Sequence, residues 1–94
     1  MNAQASDKVC RRLKALGHPI RLGILNVLRS GEKSVYQLEA LMGTTQSNIS
    51  QHLGQLRDKD ILVSRKQSNQ VFYSVRDPKT FDLLDLLQVL YAAS

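Results

Sequence analysis

Apolar residues recur at intervals of three and four over the first sixty positions, and beyond them the interval changes to two. Val9, Leu13 and Leu16 share one helical face and predict a first helix over residues 7–16, capped by Ser6 or Asp7 and ended by Gly17. Residues 1–6 are expected to form a flexible tail. Pro19 suits a first helical position, and Ile20, Ile24, Val27 and Leu28 carry a second helix to Ser30-Gly31. Ser34-Val35-Tyr36-Gln37 has the form of a capping box, and Leu38, Leu41 and Met42 supply the buried face of a short third helix that stops at Gly43. Thr44-Thr45 can cap a fourth helix in which Ile49, Leu53 and Leu56 share a face, running to about Lys59.

Alternation then takes over. Ile61, Val63 and Arg65 alternate with Leu62, Ser64 and Lys66, and Val71-Phe72-Tyr73-Ser74-Val75 is rich in β-branched and aromatic residues. With the polar Gln67-Ser68-Asn69-Gln70 between them, these segments predict a β-hairpin. Asp77-Pro78 reads as an N-cap and a first-turn proline opening a fifth helix to about Ala92. The expected fold is mainly α with a small β-hairpin: four helices, two strands and a last helix, all in one domain over 1–94. Helices three and four with the tight turn between them make a helix-turn-helix, and the hairpin after it makes a wing.

Size and charge narrow the function. The chain has 94 residues, which excludes a large enzyme built around an interdomain cleft. Thirteen Lys and Arg against eight Asp and Glu give a net +5. Residues 1–76 carry twelve bases and five acids, a net +7, whereas 77–94 carry Lys79 against Asp77, Asp82 and Asp85, a net −2. A basic body favours a polyanion as partner, and nucleic acid leads. No apolar run approaches the ~20 residues of a membrane span, the N-terminus has no signal-peptide core, and a single cysteine allows no internal disulfide. A soluble cytoplasmic protein without membrane partners is expected.

The face of helix four opposite its apolar stripe contains Thr44, Ser47, Asn48, Gln51, Gly54 and Gln55, all uncharged. An ordinary exposed helical face would be rich in Glu and Lys. Asn and Gln can bond adenine in the major groove, and Ser or Thr can serve either base, so this face is suited to reading base edges of double-stranded DNA. In the wing, Arg65, Lys66 and Arg76 have no acid among them and can follow a phosphate backbone, with Ser68, Asn69 and Gln70 at the tip. Tyr73 serves equally as a contact or as a core residue, and Arg21 and Arg29 are further candidates for phosphate contact. In the last helix eight of the eleven residues Phe81 to Tyr91 are large and apolar, more than one protomer can cover. Residues 77–94 are therefore expected to dimerise two copies through Phe81, Leu84, Leu87, Leu90 and Tyr91, with Val9, Leu13 and Leu16 of the first helix as companions.

Three stretches resemble the ArsR/SmtB-type bacterial winged-helix repressors. They are Leu13-Lys14-Ala15-Leu16-Gly17-His18-Pro19-Ile20-Arg21-Leu22-Gly23-Ile24-Leu25, then Gln46-Ser47-Asn48-Ile49-Ser50-Gln51-His52-Leu53, then Arg65-Lys66 through Val71-Phe72-Tyr73. The resemblance covers nearly the whole chain. It implies DNA contacts at Gln46, Ser47, Ser50 and Gln51, to which the flanking Thr45, Asn48 and Gln55 are added, together with the wing. It also implies a two-fold dimer through the first and last helices, and repression of a promoter with an inverted-repeat operator, relieved by an inducer that the residues do not identify. The family's metal ligands are cysteines at the start of helix three, or Asp-x-His and His-x-x-Glu in the last helix. Here those positions read Ser34-Val35-Tyr36-Gln37-Leu38, Asp77-Pro78-Lys79 and Leu90-Tyr91-Ala92-Ala93. A standard metal sensor is thus not expected, and neither is a cofactor.

Cys10, the single thiol, is a candidate redox group beside Arg11 and Arg12, although its favoured reading is a small buried hydrophobe next to Val9. Two readings compete with a sequence-specific repressor. One is a module that docks a protein through the basic hairpin and last helix; the other is a regulator that acts by displacing a silencing protein. An enzyme ranks below both, because no paired carboxylates, Cys/His couple or Gly-rich phosphate loop occurs.

Overall fold

Side chains that accept backbone N–H groups fix where the helices begin. The structure, a computed structural model, describes residues 1–92. Helix α1 spans Ala3–Leu16, and Asn2 Oδ1 accepts the Ala5 N–H at 2.8 Å. The expected tail at 1–6 is therefore helical from Ala3 onward: Asn2 is as good a cap as Ser6 or Asp7, and Ala3-Gln4-Ala5 are strong helix formers. Helix α2 (Pro19–Val27) starts at His18, whose Nδ1 accepts the Ile20 N–H at 3.1 Å, and a 3₁₀ turn over Leu28–Ser30 follows it.

Strand β1 (Lys33–Ser34) leads into α3 (Val35–Met42). At this junction Ser34 Oγ accepts the Gln37 N–H at 3.1 Å and Gln37 Oε1 accepts the Ser34 N–H at 2.8 Å, the reciprocal box expected from the sequence. Gly43, at φ 66°, turns the chain, and Thr45 caps α4 (Gln46–Asp58) by accepting the Asn48 N–H at 3.1 Å. At the far end the Ile61 N–H donates to Leu56 O and the Asp60 N–H to Arg57 O, with Asp60 left-handed at φ 59°. This Schellman closure aims the chain into the wing.

Strands β2 (Leu62–Gln67) and β3 (Gln70–Val75) pair antiparallel from Leu62 opposite Val75 to Gln67 opposite Gln70, and Ser68 takes a left-handed conformation in the turn. On its other edge β3 pairs with β1, Lys33 lying opposite Tyr73, so the sheet has the order β1-β3-β2. Sequence reasoning did not anticipate β1, because two residues are too few to show alternation. Helix α5 (Lys79–Tyr91) closes the described chain. Asp77 Oδ1 accepts the Lys79 N–H at 2.9 Å, and Pro78 takes the cap position itself rather than the first turn. The expected extent of the last segment to 94 includes two residues outside those described.

Ile24, Leu25, Leu38, Ile49, Leu53, Leu56 and Leu62 are fully buried and join α2, α3, α4 and the sheet into one core. Each such side chain contributes about 1.5–3 kcal/mol relative to exposure. Gly23 of α2 faces the Met42 side chain of α3: a Cβ there would stand 2.7 Å from Met42 Cε, the far end of a flexible side chain.

Three candidate interface residues belong to the core. Leu16 and Leu84, expected at a dimer interface, are each only 7% exposed: Leu16 sits where α1 folds back toward α2, and Leu84 is the buried contact of α5 with the body. Tyr73, a candidate wing contact, is likewise 7% exposed, because its position on β3 points inward to the core cluster. Helix α5 is held further by Phe81 and by Arg29, which pairs with Asp85 at 2.8 Å and lies over the Phe81 ring. Among the described residues no helix is long and apolar enough to cross a membrane.

Candidate nucleic-acid interface

Because Ile49, Leu53 and Leu56 turn one side of α4 into the core, the 3.6-residue period turns Gln46, Ser47, Ser50, Gln51 and Gln55 outward, and all five are exposed. Thr45 is exposed but its hydroxyl caps the helix. Asn48 is half-buried and spends one amide donor on Thr44 Oγ1 at 3.0 Å, which leaves its second amide N–H and its carbonyl. The exposed set carries no charge, so it presents amides and hydroxyls to a partner without electrostatic bias.

At the wing, Lys66, Ser68, Asn69 and Gln70 are exposed, and Lys66 forms no ion pair among the described residues. Arg65 is in a different state from the one expected. Its guanidinium donates to both carboxylate oxygens of Glu32 at 2.6 and 2.7 Å and to Gln67 Oε1 at 2.7 Å, and it lies over the Phe72 ring at 4.9 Å. This bond holds the Glu32 carboxyl below the usual carboxylate range and raises the guanidinium further. Arg76 and Arg12 both approach Asp60, at 3.6 and 3.7 Å. Lys66 is therefore a wing cation that no carboxylate holds among the described residues, while Arg65 braces the wing against the segment before β1.

Arg21 and Arg29, weighed as phosphate contacts, are engaged internally. Arg29 is taken up by Asp85, by Asn26 Oδ1 at 2.9 Å and by Phe81. Arg21 Nε donates to His52 Nδ1 at 3.0 Å and its Nη1 to Ala15 O at 3.3 Å, so one side chain ties α1, α2 and α4 together. The His18 and His52 rings lie 4.4 Å apart, and each uses Nδ1 as an acceptor. Burial pushes His52 below the ordinary histidine range, and the charges of His18 and Arg21 add to the effect.

Sequence reasoning missed two groups. Tyr36, 74% exposed, lines a groove of about 160 Å³ together with Gln46 of α4 and Asn69 and Gln70 of the wing tip. An aromatic at an outward position directly inside a capping box was the available signal. On α5, Leu83, Leu86 and Val89 are exposed beside the expected Leu90 and Tyr91, while Leu87 and Phe81 are half-buried. On α1, Val9 and Leu13 are partly exposed, and Cys10 is exposed rather than buried beside Val9.

The comparisons with known proteins agree with this geometry. The sequence profile described as "Bacterial regulatory protein, arsR family" matches residues 18–64, from the α2 cap into β2. The biofilm growth-associated repressor of Xylella fastidiosa is 36% identical over 88 residues, covering 94% of this chain and 77% of that protein. The transcriptional activator HlyU of Vibrio cholerae is 35% identical over 95 residues, 97% of this chain and 88% of that one. A solved structure of HlyU from Vibrio cholerae N16961 superposes with a TM-score of 0.85, covering 98% of this chain and all of that chain at 34% identity. The solution structure of a winged helix-turn-helix DNA-binding domain from Mycobacterium bovis, described as homodimeric, gives a TM-score of 0.85 at 28% identity over 94% of this chain and 82% of that one. With the capping box, the α3-turn-α4 unit and the wing all in place, the chain belongs to the arsR family of bacterial regulatory proteins: it is a winged helix-turn-helix transcriptional regulator and not an enzyme.

Proposed function

We propose that this chain acts in the cytoplasm as a homodimeric repressor that reads an inverted-repeat operator with α4 and grips the flanking backbone with the wing. The observation that carries this reading is the exposed, uncharged row of Gln46, Ser47, Ser50, Gln51 and Gln55, set on a helix whose other side is locked into the core. Such a row supports base-edge recognition in the major groove, where Gln pairs with adenine through two hydrogen bonds. Lys66, Ser68, Asn69 and Gln70 supply sequence-independent backbone contacts beside it.

Pairing of two copies through α1 and α5 is supported by Val9, Leu13, Leu86, Val89, Leu90 and Tyr91, which one protomer leaves exposed. A cavity of about 560 Å³ between α2 and α5, lined by Leu22, Leu84, Leu87 and Tyr91, supports the same reading because it is open to an apolar side chain of a second copy. Two-fold symmetry places the two recognition helices on half-sites about 34 Å apart. Occupancy of a promoter by such a dimer blocks transcription.

The experiment is quantitative footprinting on the chain's own upstream DNA, with Gln51→Ala and Lys66→Ala alongside the wild type. Gln51→Ala is expected to cut discrimination between operator and random DNA by ~1–3 kcal/mol, and Lys66→Ala to weaken binding to all sequences alike. Equal losses of discrimination for the two variants, or a wild type with no preference for any upstream fragment, overturn the assignment.

A further inference from the structure

Where α1, α2 and α4 meet, a notch of about 200 Å³ is lined by Arg11, Lys14, Ala15, Arg21, Gln55 and Lys59. Four of the six are cations and none is an acid. Arg21 is committed to His52 and to Ala15 O, and Arg11 pairs with Asp7 at 3.0 Å across solvent-exposed side chains. Lys14 and Lys59 form no ion pair among the described residues. A concave site with one sign of charge concentrates counterions beyond what the same charges do on a flat surface.

The position of the notch identifies which anion it meets. Ser47, Gln51, Gln55 and Lys59 follow one another at intervals of four, a single row along α4 and its cap. At 1.5 Å per residue the twelve steps from Ser47 to Lys59 cover about 18 Å, whereas the major groove is about 12 Å wide. If the N-terminal turns of the row lie among base edges, Lys59 has passed the groove wall and stands against the sugar-phosphate backbone. Lys14 approaches the same notch from the last turn of α1.

We infer that the notch between α1 and α4 seats a backbone phosphodiester bordering the groove that α4 reads, held by Lys14 and Lys59. This inference rests on the DNA-binding reading above and adds to it a contact outside both the recognition face and the wing. It gives α1 a part in fixing the angle at which α4 enters the groove.

The test is the salt dependence of affinity for an upstream duplex and for a random duplex, by fluorescence anisotropy. The proteins are wild type, Lys14→Gln, Lys59→Gln, the double variant and Lys79→Gln, with thermal melts by circular dichroism to confirm folding. Each phosphate freed lowers the slope of log K against log salt by about 0.9, so the double change, which empties one seat in each protomer, lowers it by about 1.8 in a dimer and each single change by less. Lys79→Gln, which removes the same charge from α5, leaves the slope as it is. A double variant whose slope matches that of Lys79→Gln overturns the seat while leaving DNA binding intact; a wild type that binds no duplex overturns both readings together. Inorganic phosphate titrated into the wild type and the double variant separates the sources. Saturable binding that the double variant loses, with no change in the DNA slope, makes the notch a site for a free anion and overturns the inference.

Discussion

Replacing Arg21 by Met removes every donor of the guanidinium and keeps an unbranched apolar stem of similar helix propensity, so the change isolates two hydrogen bonds. His52 Nδ1 loses its partner at 3.0 Å and Ala15 O its partner at 3.3 Å. Bonds from a charged donor contribute about 1.5–3 kcal/mol each, and both are part-buried, which allows water to replace some of the loss; about 2 kcal/mol in total is expected. For a domain of this size that lowers the melting midpoint by about 10 °C at neutral pH, compared at equal protomer concentration because pairing contributes to apparent stability.

The sharper expectation concerns pH. His52 titrates below the ordinary histidine range in the folded chain, so the unfolded chain binds the additional proton first. Stability is therefore complete above about pH 6.5 and falls as pH drops from there toward the folded value. Once protonated, Nδ1 carries a hydrogen and faces the Arg21 N–H as donor against donor. In Arg21→Met neither that conflict nor the nearby charge exists, so its pH dependence is shallower. The gap between wild type and variant measured by thermal melts should narrow from pH 7.5 to pH 5. A gap of constant size, or one that widens in acid, refutes the idea that the Arg21–His52 bond couples α2 to the recognition helix.

Two further outcomes follow from other contacts. Glu32→Gln takes away the carboxylate that occupies Arg65, so a positive charge becomes available at the wing; affinity for random duplex DNA should rise and its salt dependence steepen, whereas an unchanged slope shows that Arg65 remains bound to its own sheet. Val89→Glu places a charge at a position 67% exposed on α5 and away from the core, so sedimentation should show a monomer with the fold intact, and an unchanged mass locates the pairing surface elsewhere.

Much of the fold was legible because it is written in local chemistry. The Ser34/Gln37 box, Gly43 between two helices and the change of period after Lys59 each depend on residues within a few positions of one another, and each stands where the pattern placed it. What was missed depends on partners far away in the chain. Tyr73 read equally as a contact or as a core residue, and what places it inside is the face of β3 that it shares with Val71 and Val75, both packed on a core drawn from distant parts of the chain. Arg65 read as a free cation because Glu32 lies thirty-three positions earlier. Leu16 and Leu84 sit among apolar neighbours of the same kind, and periodicity alone does not separate the residue that meets its own body from the one left outside. The uncharged row on α4 was readable in part: burial of Ile49, Leu53 and Leu56 turns Ser47, Gln51 and Gln55 outward, whereas Thr44, Asn48 and Gly54 are half-buried.

The thin attachment of α5 has a kinetic meaning. One buried leucine, one half-buried phenylalanine and an arginine that serves both Asp85 and the Phe81 ring are few holds for thirteen residues. Elements with few buried contacts open first, at free energies well below that of global unfolding. In an isolated protomer α5 would fray on its own while the winged body stayed folded, and a second copy would supply the apolar cover that arrests the fraying. Folding of the last helix and subunit association then become a single step. For a dimer paired through α5 as proposed, the lifetime of the assembly would follow how often that helix peels away, so a change that steadies or loosens α5 would alter residence time at DNA without touching α4.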